Sequence, residues 1–534
     1  MLRDDLASAL RATLGAAGVD APDDVHLERP ARREHGDWSS NVALATAKRA
    51  GRNPRELGQQ LVDLLSADPP THVTKVELAG PGFVNFHLAD DWLHAVLREV
   101  VVDGVDGYAR PDLGHGRRVN VEFVSANPTG PLHAGGGRWA VFGDALGNLL
   151  ERTGHVVHRE YYLNDRGNQM RLFGASLAAA KAGEPTPEDG YRGGYITDWS
   201  AEMPDGVDPA AWGYDRVKRD LRDSLGSIGV QFDTWFSEQS LVDSGAVEAT
   251  LAELRANDMA YDADGATWIR TEQFGDRKDQ VIVRSDGEYA YLLPDLAYHR
   301  DKFGRGWELL IDVWGADHHG YVPSLKAALR CIGHDPDELE LVLGQLVKLI
   351  RDGKEVRLSK RAGTLVLLDD LVTQVGPDVA RLTFLLQSLD TTQTVDLDAI
   401  TSQSMDNPVY YVQYANARIH SIAKRATEQG VARVPLDAAD LSLLVHEREL
   451  EVLRILEQLP DVVRLAALER APHKVATWVR ELADRFHGFY HDCYVMGEGV
   501  APELTQARLW LVESARIGLA IGLDLLGVSA PETM

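Results

Sequence analysis

The chain has 534 residues, too many to fold around one hydrophobic core, and is expected to divide into two to four domains. Its 44% hydrophobic and 25% charged residues, with no apolar run of membrane-spanning length, read as a soluble globular protein, and a net charge of −26 argues against indiscriminate binding of polyanions. Two cysteines, Cys331 and Cys493, exclude a cysteine-rich zinc site and fit free buried thiols. The N-terminal MLRDDLASALRATLGAAG is an amphipathic helix rather than a signal peptide, which makes a cytoplasmic location the default.

Residues 1–108 read as an α+β segment. Helical patterns lead to a strand pair in TKVELAGPGFVNFHL, whose period-two alternation turns at Gly80-Pro81-Gly82. Residues 112–388 alternate short apolar runs with helical patterns. The runs VNVEFV, HVVHREYYL, WELLIDVWG and LELVLGQLVKL specify a parallel, Rossmann-like sheet with ligands at the C-terminal ends of its strands. An insertion at about 170–290, rich in Gly, Asp and Trp before it becomes helical, is expected to pack on this domain. Residues 400–534 carry apolar spacings of three and four over long stretches and read as an all-α helix bundle.

Three stretches carry chemistry. Ser125-Ala126-Asn127-Pro128-Thr129-Gly130-Pro131-Leu132-His133-Ala134-Gly135-Gly136 joins the strand VNVEFV to a helix expected from about Arg138 to Leu150. Its prolines keep the backbone extended and its glycines let it approach a phosphate closely, while His133 offers an imidazole donor. Taken alone, such a turn also serves as a plain packing corner. The second stretch, Arg357-Leu358-Ser359-Lys360-Arg361, is a short basic loop leading through Gly363 into TLVLLDDLV. The third, Tyr289-Ala290-Tyr291-Leu292-Leu293-Pro294-Asp295, places a phenol and a carboxylate four residues apart on one helical face.

In order, these resemble the HIGH-type motif, an amino-acid pocket element and the KMSKS-type loop of a class I aminoacyl-tRNA synthetase. The surrounding wording, from VEFVSANPTGPLH through EYYLNDRGNQ, YAYLLPDLAYH and RLSKRAGTLVLLDDL to GLDLLGVSAPETM, is similar to the arginyl-tRNA synthetase family over nearly the whole chain. Asp378-Val379-Ala380-Arg381 matches the DALR element of that family's anticodon-binding domain.

The resemblance implies ATP-dependent ligation of L-arginine to its cognate tRNA through an arginyl-adenylate, with ATP and Mg²⁺ as substrate complex. It implies no tightly bound cofactor and no protein-held metal. The partners are the arginine tRNA, arginine and ATP, with no membrane and a monomeric chain. It assigns His133 and Lys360 to catalysis and Pro131, His133, Gly135, Gly136, Ser359 and Lys360 to ATP. Glu122, Asn127, Tyr291 and Asp295 are assigned to arginine. An acidic pocket suits a guanidinium, which has five donors and no acceptor. Phe83, Asn85, Tyr411, Tyr414, Arg418 and Met534 are assigned to tRNA. By residue type alone, Asp295 also suits a helix cap, Phe83 a core aromatic, and Tyr411 and Tyr414 bundle packing. Arg418 with Lys424 and Arg425 also suits a solvated basic face.

The chain departs from the family pattern at two positions. Gly136 stands where the second motif histidine is usual, and Arg357 stands for the first lysine of the KMSKS-type loop. Arg138, or His318 and His319 across the rim, are the candidates for a substitute donor. Two other classes compete: a different nucleotide-transferring enzyme with a similar turn, and a synthetase-like protein that only binds tRNA. The first covers small nucleotidylyltransferases, which lack a long helical C-terminal domain, and other class I synthetases; the second needs no phosphate donor beside an acidic pocket.

Overall fold

The computed structural model describes residues 2–30, 32–356, 366–402 and 407–532. The chain packs into two units. One holds Met1–Val102, Ala432–Glu457 and Phe489–Ser514, and the other holds Asp103–Val431, Gln458–Gly488 and Ala515–Met534. Packing therefore does not follow chain order, since parts of the C-terminal helical region group with the first hundred residues.

In the first unit, strands Val73–Ala79 and Phe83–Leu88 form the expected antiparallel hairpin, and Trp38–Ser40 pairs with the second of them as a third strand. Helices Leu2–Ala16 and Pro54–Ala67 supply buried leucines to the same core, including Leu6, Leu10, Leu57 and Leu61. Asn53 caps the second helix by accepting from the N–H groups of Arg55 and Glu56, and Pro54 fits its first turn.

The second unit is built on a five-stranded parallel sheet. Its order is Leu339–Gly344, Leu309–Gly315, Arg118–Glu122, Val156–Leu163, Thr234–Ser237. Two expectations are corrected here. Thr234–Ser237 lies inside the stretch read as an insertion, yet it is an edge strand of the main sheet. LELVLGQLVKL is two strands rather than one, because Val347–Arg351 leaves the sheet to pair with Lys354–Val356 and Gln393–Asp396.

Within the insertion, Ala260–Ala263, Ala266–Ile269 and Gln280–Val283 form a small antiparallel sheet, and Trp199 is 4% exposed. Helix Pro408–Glu428 belongs to this unit. The buried Arg381 ties its parts together, with its guanidinium on Asp144 and on the carbonyls of Ile228 and Leu526. Asp378 accepts from Gln413 and from the Ser529 backbone. Cys331 and Cys493 are free and buried. Among the described residues, no helix is long and apolar enough to cross a membrane.

Candidate active site

The site begins where strand Arg118–Glu122 ends. Val124 and Ser125 have φ of 71° and 40°, left-handed values that cost a β-branched or ordinary residue about 1–3 kcal/mol and need outside support. Part of that support is visible: the Ser125 hydroxyl donates to Glu122 Oε1 at 2.9 Å, and the Tyr162 N–H donates to Ser125 Oγ at 3.2 Å. Beyond this bend the chain runs to helix Ala134–Arg152, which starts four residues earlier than expected because His133 is its N-cap. The His133 Nδ1 accepts the Gly136 N–H at 3.0 Å. A neutral ring accepting at Nδ1 carries its proton on Nε2, which makes that nitrogen a donor.

A cavity of about 700 Å³ opens over this turn. Its lining includes Ser125, Asn127, His133, Gly135, Gly136 and Trp139 together with Leu346, Val347, Glu355 and Val356. Two strand-like hydrogen bonds bring distant sequence to it. The Ala134 N–H donates to the Val366 carbonyl at 2.9 Å and the Leu368 N–H to the Leu132 carbonyl at 2.9 Å. Val356 and Val366 flank the basic loop in sequence: Val356 lines the cavity and Val366 bonds to the glycine-rich turn. Ser359 and Lys360 themselves lie outside the described residues.

The remaining nucleotide candidates sort clearly. Gly135 and Gly136 line the cavity, whereas Pro131 is buried and does not. A Cβ at Gly136 would sit 2.7 Å from Leu132 Cδ1, so a histidine there requires Leu132 to move. Arg138 is corrected as a substitute donor. It is 1% exposed, and its guanidinium donates to the carbonyls of Gln345, Ser388 and Thr391. His318 and His319 are exposed after strand Leu309–Gly315 and do not line the cavity.

The candidates for arginine recognition lead into a buried charge array. Register places Asp312, Glu122 and Glu160 side by side on three adjacent strands, a row of like charges that is unstable unless compensated. Helix Leu292–Gly304 and the residue after it lay three basic groups over that row, spaced by three: His299, Lys302 and Arg305. Lys302 Nζ lies 2.5 Å from Glu122 Oε2 and 2.8 Å from Asp312 Oδ1. Arg305 grips both oxygens of Glu160 at 2.6 and 2.8 Å, and the Tyr298 hydroxyl donates to Glu160 at 2.7 Å.

Burial alone raises the Glu160 carboxyl, but Arg305, with His158 and Lys302, holds it well below the usual carboxylate range. Burial likewise opposes the Lys302 charge, and Asp312, Glu122 and Glu160 overcome that and hold the ammonium above its ordinary value. Asp295, on the same helix, accepts from the Tyr321 hydroxyl at 2.9 Å, and burial raises its carboxyl. Tyr291 is 78% exposed and Asn127 is exposed on the cavity wall. Sequence reasoning missed His299, Lys302, Arg305, Asp312 and Glu160. The available signal was an acid inside each of the apolar runs WELLIDVWG and HVVHREYYL, matched by bases three apart in LAYHRDKFGR.

Of the candidates for tRNA, Phe83 is half-buried at the start of its strand. Asn85 is corrected: it is 2% exposed and its side-chain oxygen accepts from Ser39 Oγ at 2.7 Å, so it supports the hairpin from inside. In the other unit, Arg418 lies 4.3 Å over the Tyr414 ring and donates to His487 Nδ1 at 3.0 Å, while the Tyr411 hydroxyl donates to Asp484. Lys424 and Arg425 are exposed, and Met534 lies outside the described residues.

A parallel sheet, a histidine-capped glycine-rich turn at its rim and a pairing of that turn with Val366–Leu368 are features of a class I aminoacyl-tRNA synthetase. The family described as tRNA synthetases class I (R), catalytic domain, matches residues 97–188 and 226–401. The arginyl tRNA synthetase N terminal domain matches 2–88, and the DALR anticodon binding domain matches 412–534.

Among solved structures, a Campylobacter jejuni protein described as an arginyl-tRNA synthetase is 33% identical, covering 84% of this chain and 100% of its own, with a TM-score of 0.75. Arginyl-tRNA synthetases of Thermus thermophilus and Plasmodium falciparum, at 22% and 16% identity, show the same fold. The first covers 100% of both chains with a TM-score of 0.77, and the second 99% of both with 0.74. The chain belongs to the arginyl-tRNA synthetase family. It is accordingly an arginine–tRNA ligase whose substrates are ATP, arginine and tRNA.

Proposed function

We propose that the cavity at His133 holds the ATP–Mg²⁺ complex and that arginine lies beside it over the Glu122 strand end. In this reading the arginine carboxylate attacks the α-phosphorus in line, the arginyl-adenylate forms and pyrophosphate leaves. The terminal ribose of tRNA then attacks the activated carbonyl and AMP departs. Little covalent help is required of the protein, which supplies position and charge stabilisation. The Nε2–H of His133 and the ammonium of Lys360 stabilise charge on the phosphates. Gly135 and Gly136 admit the nucleotide, and Ser359 shares the basic loop.

Asp295 and Tyr291 take the guanidinium, while Glu122 and Asn127 take the ammonium and main-chain groups of the substrate. Glu122 is already paired with Lys302, so the substrate ammonium shares that carboxylate rather than finding it vacant. For tRNA, the reading assigns Phe83 to the D-loop and Tyr411, Tyr414 and Arg418 to the anticodon side, by stacking and phosphate contact. Residues 1–108, 112–388 and 400–534 serve as tRNA-binding, catalytic and anticodon-binding domains of a monomeric cytoplasmic enzyme.

The observation that carries this reading is the pair of hydrogen bonds from Ala134 to Val366 and from Leu368 to Leu132. They bring the segment that follows the basic loop to the glycine-rich turn, which supports a shared site for two motifs far apart in sequence. Charging assays with the full chain, ATP, arginine tRNA and a panel of amino acids test it. Arginine is expected to be charged in strong preference to lysine and citrulline, and equal charging of either would overturn the acidic pocket.

A further inference from the structure

One unbroken chain of polar contacts links the two acids proposed to hold arginine. From Asp295 it runs to His299, whose Nδ1 lies 2.8 Å from the Asp295 main-chain oxygen and 3.5 Å from its carboxylate Oδ1. His299 Nε2 lies 2.9 Å from Asp312 Oδ2. The other Asp312 oxygen meets Lys302, which reaches Glu122, and Glu122 accepts from Ser125 at the cavity wall. His299 and Lys302 are buried, at 1% and 0% exposure.

The two partners of His299 decide its protonation. A main-chain carbonyl only accepts, so Nδ1 must carry a proton. A carboxylate also only accepts, and Asp312 is kept ionised by the Lys302 ammonium at 2.8 Å, so Nε2 must carry a proton too. A neutral ring in this position would aim a lone pair at one of two oxygens. We propose that His299 is a resident imidazolium and a positioning residue: with Lys302 it holds Asp295 and Glu122 in place and sets the charge of the arginine pocket. The proposal rests on the assignment of Asp295 to the guanidinium.

The charges agree with that role. Asp295 and Lys302 face His299 from its own helix, and Asp312 faces it from strand Leu309–Gly315. Glu122 adds its charge from strand Arg118–Glu122 through Lys302, and Glu238 and Tyr321 approach the Asp295 end. Glu160 is occupied by Arg305. Burial raises the Asp295 and Glu122 carboxyls, and His299 and Lys302 oppose that rise. With all three acids ionised, Asp295, Asp312 and Glu122 set against Lys302 and an imidazolium leave one net negative charge, the amount that a guanidinium balances. With a neutral imidazole two would remain buried together, at greater cost. Burial opposes protonation of His299, and the Asp312 hydrogen bond together with Asp295 outweighs it and raises the imidazole above its ordinary value.

Nitrogen-15 NMR of the full chain with labelled histidine, assigned from the backbone, reads the protonation state without any variant. Both His299 ring nitrogens are expected to give the protonated signature through neutral pH, and a neutral-tautomer pattern would overturn the proposal. Steady-state kinetics then compares His299→Gln and Asp295→Asn. His299→Gln is expected to raise the arginine KM by about 10- to 150-fold, the size of a lost charged hydrogen bond, with the ATP KM within about twofold. An equal rise for both substrates would mark a merely structural residue and overturn the role. If Asp295→Asn raises the arginine KM and His299→Gln does not, this proposal alone fails. If Asp295→Asn leaves arginine untouched, the pocket assignment fails and takes the proposal with it.

Discussion

The two sides of the catalytic rim are built on different principles. The side proposed for the nucleotide is a cavity of about 700 Å³ over the glycine-rich turn, and the basic segment assigned to it comes from a distant part of the chain. On the arginine side the charges are already buried and paired: Lys302 between Glu122 and Asp312, Arg305 on Glu160, His299 on Asp312. Burying such groups is costly, and the cost is offset by partners within the fold, not by the substrate. In the proposed reading selectivity resides in this preset array, whereas the nucleotide side draws on Lys360 from a distant stretch of sequence. A polar site with fixed partners rejects substrates that leave those partners unpaired, and an assembled site couples chemistry to whatever orders it.

That contrast can be broken most severely by removing tRNA. Resemblance to the family implies that tRNA binds before the adenylate forms. Arginine-dependent exchange of pyrophosphate into ATP is expected to be negligible without tRNA and to appear when tRNA is added. Arginine binding by calorimetry should persist without tRNA. Comparable exchange in rigorously tRNA-free enzyme would place both sides on an equal footing and end the comparison.

The next effect in size is on the preset side. Asp295→Asn is expected to weaken arginine by about 2–5 kcal/mol in kcat/KM, the range for truncating one partner of a buried charge pair, while leaving ATP unaffected. An unchanged arginine KM and kcat would remove this residue from the pocket. Lys360→Ala probes the assembled side with a smaller loss, about 1.5–3 kcal/mol, expected in kcat rather than in arginine KM because its contact tightens only in the transition state. Loss of ATP affinity with kcat intact would make the lysine a ground-state anchor.

Much of this was readable before any fold was known. The strand-turn-helix at His133 carries its own punctuation: two prolines for extension, glycines for close approach and a histidine where a helix begins. Other features misled, each for a physical reason. Arg138 looked like a free donor because a helix pattern does not say which carbonyls lie opposite, and three of them claim it. Asn85 looked available because alternation in a hairpin separates two faces without saying which one the rest of the unit covers. LELVLGQLVKL looked like one strand because its apolar run is continuous, although the chain changes sheets after Gly344.

The sequence by itself determined most of the local elements, the chemical types at the turn and the family to which the chain belongs, since these are written in short stretches. It also placed an acid in each of three apolar strands, where each alone looks like a charge out of place. Only the tertiary structure decided that these acids stand in one row. Parallel pairing aligns Glu122 with Glu160 on one side and Asp312 on the other, across long stretches of intervening chain. It also decided that a single helix supplies their counter-charges. The reason is that strand register and helix orientation are set by the packing of the whole sheet, and electrostatic compensation among buried groups exists only once that packing is complete.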